Sequence, residues 1–454
     1  MNTENSLYNY KIIFFLIIFC MFITVNISAK IGPVTLLEIP SSFNPVGSGA
    51  RALGFGGAFI AIADDATAAS WNPGGLSCLV LPEFSIVTGV TYRKESNRFN
   101  SYPEASDSHR ISEEEINYLS FVYPFAINNY NMVIAITYQR LYELYRNWDY
   151  SYTTQTDSFS FLTNQVYVQS GSLSAFGVSY CLELNPNFSL GITFNFWKNG
   201  LTDNNWKQKY DIKISGAQNE APIYGYLNKT EEYEFDGFNM NIGTMWYINK
   251  KLSFGTVLKT KVNADIDHRI NERWEEISPD FPETNQFGSR DESRAEYLTL
   301  PMSYGIGVAY KFSDDLILSG DIYRTCWSDF VLKLKNKSGY EINPISGKPS
   351  QTSEMDSTTQ IRIGGEYILA KKPNKSATLI RAGIFFDPAP TVKGHDNFYG
   401  CALGLGYTNI NILTIDCTLQ YRTGNGIGES YLEHMNFSQD VREYKLYFSS
   451  ILYL

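Results

Sequence analysis

Residues 413–421 read LTIDCTLQY, and this stretch carries the pattern that decides the fold. Leucine, isoleucine, cysteine or tyrosine stands at every odd-numbered position, and threonine, aspartate or glutamine stands at every even-numbered one. A repeat of two residues places the two sets on opposite faces of a β-strand. The same repeat returns at residues 190–196 and 303–310. The chain is therefore predicted to be built from strands that are apolar on one face.

Strand-like segments fill the chain from about residue 83 onward. We predict fourteen of them, at residues 83–94, 116–125, 131–142, 172–183, 187–199, 235–247, 251–263, 297–312, 316–330, 358–369, 376–387, 398–409, 412–424 and 441–454. Short, turn-like connections alternate with connections that are mostly long and polar, such as 95–115, 200–234 and 331–357. Outer-membrane barrels combine short periplasmic turns with long external loops. A soluble sandwich or propeller has no reason to make every second loop long.

These features predict an all-β fold, a 14-stranded antiparallel transmembrane β-barrel in the outer membrane of a Gram-negative-type bacterium. With an even number of strands, both ends of the mature barrel lie on the periplasmic side and the long loops lie outside. The last segment ends at the chain terminus in an apolar stripe of Leu446, Phe448, Leu452 and Leu454. Such a stripe resembles the signal for the barrel assembly machinery, which usually ends in phenylalanine. Outer-membrane lipids would then surround the barrel.

The composition excludes two other classes of protein. Of the 454 residues, 15% are aromatic and only 19% are charged, and the net charge is −10. This acidic balance gives no basic surface for nucleic acid. A mean hydropathy of −0.21, without an interior apolar run of about 20 residues, excludes a polytopic helical membrane protein.

The chain divides into three predicted parts. Residues 1–29 read as a secretory signal peptide, because an apolar run follows Lys11 and small residues precede Lys30; an uncleaved anchor is the alternative. Residues 30–82 form a segment of different composition, and residues 83–454 form the barrel. The five cysteines after the signal are scattered and odd in number, so they indicate neither a disulfide framework nor a zinc site.

Residues 41–76 are rich in glycine and alanine and lack a strand pattern. Asp64 or Asp65 is expected to cap a short helix over residues 66–70, which Pro73 would end. The glycines at 54, 56 and 57 resemble a phosphate-binding loop only weakly, because no GK[ST] follows. They are better explained by tight backbone packing inside a barrel.

The stretch GARALGFGGAFIAIADDATAASWNPGGL at residues 49–76 resembles the N-terminal hatch of the FadL superfamily of outer-membrane transporters. Shorter matches follow in the same order along the chain, at residues 300–301, 327–330, 361–367, 381–383 and 403–407. The resemblance implies a porin-like barrel with a hatch in its lumen and fourteen strands. Gly74 stands where the family usually has alanine after Asn72-Pro73.

The family resemblance also implies a function, the passive uptake of long-chain fatty acids or other hydrophobic molecules such as hydrocarbons. The ligand would pass between the hatch and the wall and leave sideways into the membrane through a gap in the wall. In well-known members a kink in the third strand makes this gap, yet the third strand here, residues 132–138, contains neither glycine nor proline. The form of residues 71–76 resembles the PorV-like branch instead. The alternative is therefore a non-transporting barrel that serves protein secretion or surface attachment.

Two sets of site residues follow from these expectations. Hatch residues are predicted to hold the segment in place through Asn72-Pro73 and through pairing of Arg51 with Asp64, Asp65 or a carboxylate of the wall. Candidate ligand contacts are the hatch aromatics Phe43, Phe55, Phe59 and Trp71, the lumen-facing Tyr323 and Trp327, and the arginines Arg362 and Arg381. The aromatics would alternatively pack hatch against wall, and the arginines would alternatively pair with carboxylates, since unpaired buried charge is costly.

Catalysis is not expected. A hydrolase needs a histidine beside a nucleophile or an activated water, and all four histidines, at 109, 268, 395 and 434, fall in predicted loops without a recurrent partner pattern. The acidic run at residues 113–115 is interpreted as a solvated loop and not as a cation site. The sequence predicts no enzyme activity, no cofactor and no metal.

Overall fold

The computed structural model describes residues 44–454, apart from residues 129, 336–340, 373–374, 393, 410–411, 430–431 and 433–434. The predicted signal peptide, Phe43 and His434 lie outside the described residues. None of the helices in the described part of the chain is long and apolar enough to cross a membrane.

Twenty-two strands and two short α-helices make up the described part of the chain. The helices are α1 (Ala50–Gly54) and α2 (Ala68–Trp71), and 3-10 turns lie at Pro73–Cys78, Pro103–Ala105, Pro282–Thr284, Trp327–Asp329 and Ser350–Thr352. The strands are β1 (Glu83–Phe99), β2 (Asp107–Ile127), β3 (Tyr130–Glu143), β4 (Arg146–Gln155), β5 (Phe159–Asn185), β6 (Phe188–Lys198), β7 (Asn204–Gln218), β8 (Ala221–Tyr247), β9 (Leu252–Lys259), β10 (Val262–Ile277), β11 (Gln286–Leu300), β12 (Ser303–Lys311), β13 (Leu316–Thr325), β14 (Val331–Leu334), β15 (Glu341–Ile342), β16 (Thr358–Lys372), β17 (Ser376–Phe386), β18 (Ala389–Thr391), β19 (Gly394–Asp396), β20 (Phe398–Asn409), β21 (Leu413–Ile427) and β22 (Phe437–Tyr453).

Fourteen of these strands close into a ring, in which each strand pairs antiparallel with the next and β22 returns to β1. The order is β1, β2, β3, β5, β6, β8, β9, β12, β13, β16, β17, β20, β21 and β22. The predicted 14-stranded antiparallel β-barrel is confirmed. Residues Glu83 and Leu454 lie at one end of it, the terminal end, where the Leu454 amide donates to the Pro82 carbonyl over 2.9 Å. The opposite end is called the loop end.

The two faces of the wall have opposite polarity. In the stretch LTIDCTLQY, Ile415 and Leu419 point outward and are 48% and 49% exposed, whereas Asp416 and Thr418 point inward and are buried. The other ring strands follow the same rule, with residues such as Leu403 facing out. An apolar outer band with a polar interior is the arrangement that a lipid bilayer requires of a barrel.

Several strands continue beyond the barrel at the loop end, and here the sequence-based boundaries were wrong. The predicted loop at 95–115 is mostly strand, because β1 and β2 stay paired as far as Asn97 and Asp107. Residues 200–234 contain β7 and the first half of β8, and β10 and β11 form a further hairpin. The outward faces of these extensions are polar because no lipid surrounds them, so the apolar outward stripe that marks the barrel strands is lost.

The predicted loop at 331–357 also differs from expectation, because its described residues fold inward. Ile342, Asn343 and Ile345 are all buried. The Asn343 side-chain amide donates to the carbonyls of Trp327 and Phe330 over 3.2 and 2.9 Å. The described part of this loop therefore covers the lumen at the loop end.

The segment before β1 lies against the inner face of the barrel. Carbonyl groups of the hatch segment accept hydrogen bonds from inward-facing hydroxyls all around the wall, including Tyr118 to Ala66 and Thr418 to Ala50. The predicted helix over 66–70 is α2, at residues 68–71, and Asp65 accepts hydrogen bonds from Thr67 in the turn before it. The described hatch residues are almost all buried and form an apolar cluster with inward-facing residues of the wall.

Candidate functional site

Inward-facing glycines of the wall let the hatch backbone approach closely. A Cβ atom on Gly191 would lie 2.2 Å from the Pro73 carbonyl group, and one on Gly364 would lie 2.1 Å from the Phe55 oxygen. Gly243, Gly255 and Gly383 face the hatch in the same way. Real Cβ atoms essentially never show distances below 3 Å. Five strands of the wall therefore need glycine where the hatch backbone contacts them.

Asn72 joins the hatch to itself and to the wall. Its side-chain amide donates to the Ile60 carbonyl over 2.8 Å and to the Thr244 carbonyl of β8 over 2.9 Å. Its side-chain oxygen accepts from the Gly74 amide over 3.1 Å and caps the 3-10 turn that begins at Pro73. Every polar group of the buried Asn72 side chain is thus used, as buried amides require.

Arg51 is the centre of an ion cluster that spans hatch and wall. It pairs with Asp64, with Asp65 at 3.3 Å and with Glu366 of β16 at 3.3 Å. Glu366 also pairs with Arg381 of β17 at 2.6 Å. Both of the pairings anticipated for Arg51, within the hatch and with the wall, occur together.

Asp321 and Arg362 hold the middle of the hatch. The Asp321 carboxylate of β13 accepts from the amides of Phe59 and Ile60 over 2.6 and 2.9 Å. The Arg362 guanidinium of β16 donates to the Gly56 carbonyl over 2.9 Å. Charged side chains of the wall therefore satisfy main-chain groups of a hatch segment that has no regular secondary structure.

Two small cavities lie on either side of residues 44–47, the arm that leads into the hatch. The first, the amide cavity, has a volume of about 50 Å³. Its polar lining residues are Gln139, Asn195, Asn239, Asn241, Lys259, Tyr323 and Gln360, and its apolar ones include Tyr142, Trp197, Val262 and Leu300. The second, the charged cavity, has a volume of about 80 Å³ and is lined by Glu115, Arg140, Glu143, Arg362, Asp387, Arg422, Glu443 and Lys445. Asn44, Pro45 and Val46 line both and so separate them.

Asn44 fixes the arm in this position. Its side-chain oxygen accepts from the Trp327 indole over 3.0 Å and from Thr358 over 2.9 Å. Its side-chain amide donates to the Pro388 carbonyl over 2.8 Å, and its own carbonyl accepts from Gln360 over 3.0 Å. The arm is therefore held from several strands at once, directly beneath the loops of the loop end.

The wall is interrupted beside the charged cavity. Main-chain pairing of β2 with β3 ends at Tyr118 and Gln139, although β2 remains paired with β1 as far as Asp107. Asn117 is an extra residue in β2, and the pairing of β3 with β5 shifts between Arg140 and Tyr142. These bulges make the strands diverge, and no glycine or proline is needed. This β2–β3 gap was not predicted.

Side chains bridge the β2–β3 gap in place of main-chain hydrogen bonds. Arg140 pairs with Glu115 across it at 3.5 Å. The Asn117 amide donates to the Arg140 carbonyl over 3.3 Å. Just outside, Ile116 exposes 48% of its surface on the lipid face. The gap therefore lies within the apolar band, next to a cavity of the lumen.

A family model described as outer membrane protein transport protein (OMPP1/FadL/TodX) matches residues 44–428. This range covers the described hatch residues and thirteen of the fourteen ring strands.

The chain belongs to the FadL family.

Solved structures of related barrels agree with this FadL-family assignment in fold. A Pseudomonas aeruginosa FadL homologue superposes with a TM-score of 0.55 at 12% identity, covering 91% of this chain and 99% of the other. The Pseudomonas putida toluene transporter TodX gives 0.55 at 11% identity, with 90% and 99% covered. The Ralstonia pickettii toluene transporter TbuX gives 0.52 at 13%, with 91% and 100% covered. No curated protein matches the sequence.

Membership of the FadL family places the chain in the outer membrane as a transport protein for hydrophobic compounds. The family consists of transport channels and not of enzymes. The sequence resemblance to FadL is thereby confirmed.

The candidate ligand residues of this FadL-family barrel occupy three kinds of environment. Phe55, Phe59 and Trp71 are fully buried between hatch and wall, with the Phe59 and Trp71 rings 5.8 Å apart. Tyr323 lines the amide cavity and Arg362 the charged cavity. Trp327 binds Asn44, and Arg381 belongs to the Arg51 ion cluster and lines neither cavity. Phe43 lies outside the described residues.

Lys259 was missed in the sequence. It shares the inward face of β9 with Ser253, Gly255 and Val257. These residues and Lys259 occupy alternate positions of the strand. That alternation was the available signal. The predicted strand at residues 251–263 contains Lys259, but no role was predicted for it.

Three of the four histidines do not lie in loops as predicted. His109, His268 and His395 belong to β2, β10 and β19. His268 is completely buried between Glu296, at 3.1 Å, and Glu231, at 3.5 Å. Burial by itself lowers the pKa of His268, but hydrogen bonds to Glu231 and Glu296 raise it above its ordinary value.

The acidic run at residues 113–115 lies in strand β2 and not in a loop as predicted.

Proposed function

We propose that this barrel takes up long-chain fatty acids, or closely similar amphiphiles with one carboxylate, by passive diffusion from outside the cell into the outer membrane. The loop end faces the exterior, and the described part of the hatch segment, from residue 44 onward, blocks the lumen. A ligand enters at the loop end, passes the arm and leaves through the β2–β3 gap. The observation that carries the proposal is Lys259, a partly buried lysine in the amide cavity that forms no ion pair among the described residues.

Lys259 is suited to bind a carboxylate. Its ammonium group donates to the Val46 carbonyl, and no ion pair joins it to an acidic side chain in the part of the chain that the structure describes. The Tyr323 hydroxyl on the same cavity is buried without a hydrogen-bond partner. An anion between these two groups would neutralise the cation and satisfy the hydroxyl, and both contacts stabilise a buried charge. The cavity is large enough for a carboxylate and little more.

An apolar region beside the amide cavity suits an acyl chain. Tyr142, Trp197, Val262 and Leu300 line the cavity and also belong to an apolar cluster that reaches the loop end. That cluster includes Phe235 and other buried side chains of the extended strands. Burial of methylene groups there contributes roughly 0.8 kcal/mol per group. A long chain therefore binds here more tightly than a small aromatic molecule.

The arm is the barrier between the two halves of the route. Because residues 44–46 line both cavities, a shift of the arm joins the amide cavity to the charged cavity. The charged cavity borders the β2–β3 gap through Glu115, Asn117 and Arg140. Rotation of Arg140 would then open a path to the lipid beside Ile116. The ligand reaches hydrocarbon without crossing bulk water.

Replacing Lys259 by methionine tests the carboxylate site. Loss of one charge-assisted hydrogen bond removes about 1.5–3 kcal/mol of binding, so uptake of a radiolabelled long-chain fatty acid at low concentration should fall at least about tenfold. Uptake of the neutral alkane of equal length should not fall. Cells that lack their own transporter and express each variant are the assay.

Lys261→Met is the matched control, because Lys261 is exposed and pairs with Asp329 at 3.1 Å only two residues away. It should behave as the parent. If both lysine variants transport the fatty acid as the parent does, Lys259 does not bind the ligand.

A further inference from the structure

The β2–β3 gap continues toward the loop end as a seam between β2 and β4. Strand β4 pairs with β5, and β2 pairs with β1, but no main-chain pairing joins β2 to β4 among the described residues. One cross-seam contact is the Thr153 amide of β4, which donates to Glu104 over 3.0 Å. Two unpaired strand edges thus face each other outside the apolar band, an arrangement that proteins usually reinforce.

Three metal-ligating side chains meet across this seam. Asp107 and His109 come from β2 and Asp149 comes from β4, and their ligand atoms lie within 4.8 Å of one another. Neither aspartate forms an ion pair with a lysine or arginine among the described residues. The Asp107 carboxylate accepts the neighbouring Ser108 amide over 2.6 Å. The three side chains are therefore accessible and are not engaged by a cationic side chain that would compete with a metal ion.

We propose that Asp107, His109 and Asp149 bind a divalent transition-metal ion, with zinc as the best-matched probe, and that the ion clips β2 to β4. One imidazole nitrogen with two carboxylate oxygens is a common zinc ligand set, and a water completes the tetrahedron. Tetrahedral zinc holds its ligand atoms roughly 3.4 Å apart, so side-chain rotation of exposed residues closes the site. Calcium prefers six to eight oxygen ligands and is a poorer match.

The clip has a structural consequence. Metal binding would fix the free edge of β4 to the barrel directly beyond the β2–β3 gap. It would therefore hold the wall together where side chains alone otherwise do so, and it would shield two strand edges from other chains.

Zinc titration of the purified full-length protein, followed by calorimetry, tests the site. The parent should bind Zn²⁺ saturably and bind Ca²⁺ much more weakly. His109→Ala should weaken Zn²⁺ binding at least about tenfold, as expected for the loss of a ligand. His395→Ala is the matched control, because His395 is an exposed histidine in a short strand at the loop end, away from Asp107 and Asp149 in the sequence. This variant should bind Zn²⁺ as the parent does.

Amide hydrogen exchange gives a second readout. Zn²⁺ should slow exchange across residues 146–155 in the parent and in His395→Ala, but not in His109→Ala. Absence of saturable Zn²⁺ binding, or binding that survives His109→Ala unchanged, would overturn the proposal and leave the three residues as an ordinary solvated cluster.

Discussion

Removal of residues 44–79 is expected to convert a closed barrel into an open pore. The described hatch residues pack against the inner face of the wall, and a fourteen-strand barrel is too wide for its own side chains to fill. In planar bilayers the deletion variant should show steady ion conductance where the parent shows none. The wall should still assemble, since its main-chain pairing does not involve the hatch.

The deletion variant could fail to assemble for reasons unrelated to the pore. A single substitution that displaces the hatch is therefore a second test of the same expectation. Gly191→Leu places a side chain where the Pro73 carbonyl group lies, so it should also open the pore. Gly320→Leu is its control, because the nearest atom to a Cβ there is 3.7 Å away. Heat-modifiable migration in gels verifies that each barrel has folded. Folded deletion and Gly191→Leu barrels that conduct no more than the parent would show that the hatch does not block the lumen.

Replacement of Arg381 by alanine is expected to produce the largest loss of stability. Arg381 is buried and pairs with Glu366 and with Asp416, both at 2.6 Å. Its removal leaves two buried carboxylates without their main partner, and breaking a buried ion pair in this way costs roughly 3–5 kcal/mol. The free energy of unfolding in urea, measured in lipid vesicles, is the observable.

Arg98→Ala is the control for the Arg381 experiment. Arg98 also forms an ion pair, with Asp440 at 3.0 Å, but its side chain is 52% exposed. An exposed pair contributes at most about 1 kcal/mol. Equal losses in the two variants would mean that the Arg51 ion cluster does not stabilise the junction of hatch and wall.

The barrel could be predicted from sequence because lipid imposes a strict rule on it. Each ring strand must place apolar side chains outward at every second position, and stretches such as 413–421 show this directly. The extensions obey no such rule. Strand β7, with sequence NNWKQKYDIKISGAQ, has charged and polar side chains such as Lys207 and Lys209 on its outer face, so it lacks the apolar outward stripe of a ring strand. The outer face of β10, which carries His268 on its inner face, is likewise polar over residues 263–271.

The composition of residues 41–76 indicated a segment that packs closely against other backbone, but its contacts could not be predicted. Glycine-rich backbone without a strand pattern fits only where another backbone approaches closely, and this identified residues 41–76. Which side chains meet Asn72 or Asp321 depends on the register of distant strands. The β2–β3 gap depends on an extra residue at Asn117 and on a shift beyond Arg140, and such bulges leave no local signature in composition. The amide cavity likewise arises from residues of nine strands, from β3 to β16, most of which are far apart in the sequence.

Uptake by intact cells is the most direct test of the account. A Gram-negative strain without its own transporter for long-chain fatty acids would express this chain or an empty vector, and accumulation of a radiolabelled fatty acid would be followed over time. The account predicts faster uptake with the chain, unaffected by collapse of the membrane potential because the process is passive. Uptake equal to that of the empty vector, with the barrel shown to be folded in the outer membrane, would contradict it and favour a role as a secretion or attachment partner.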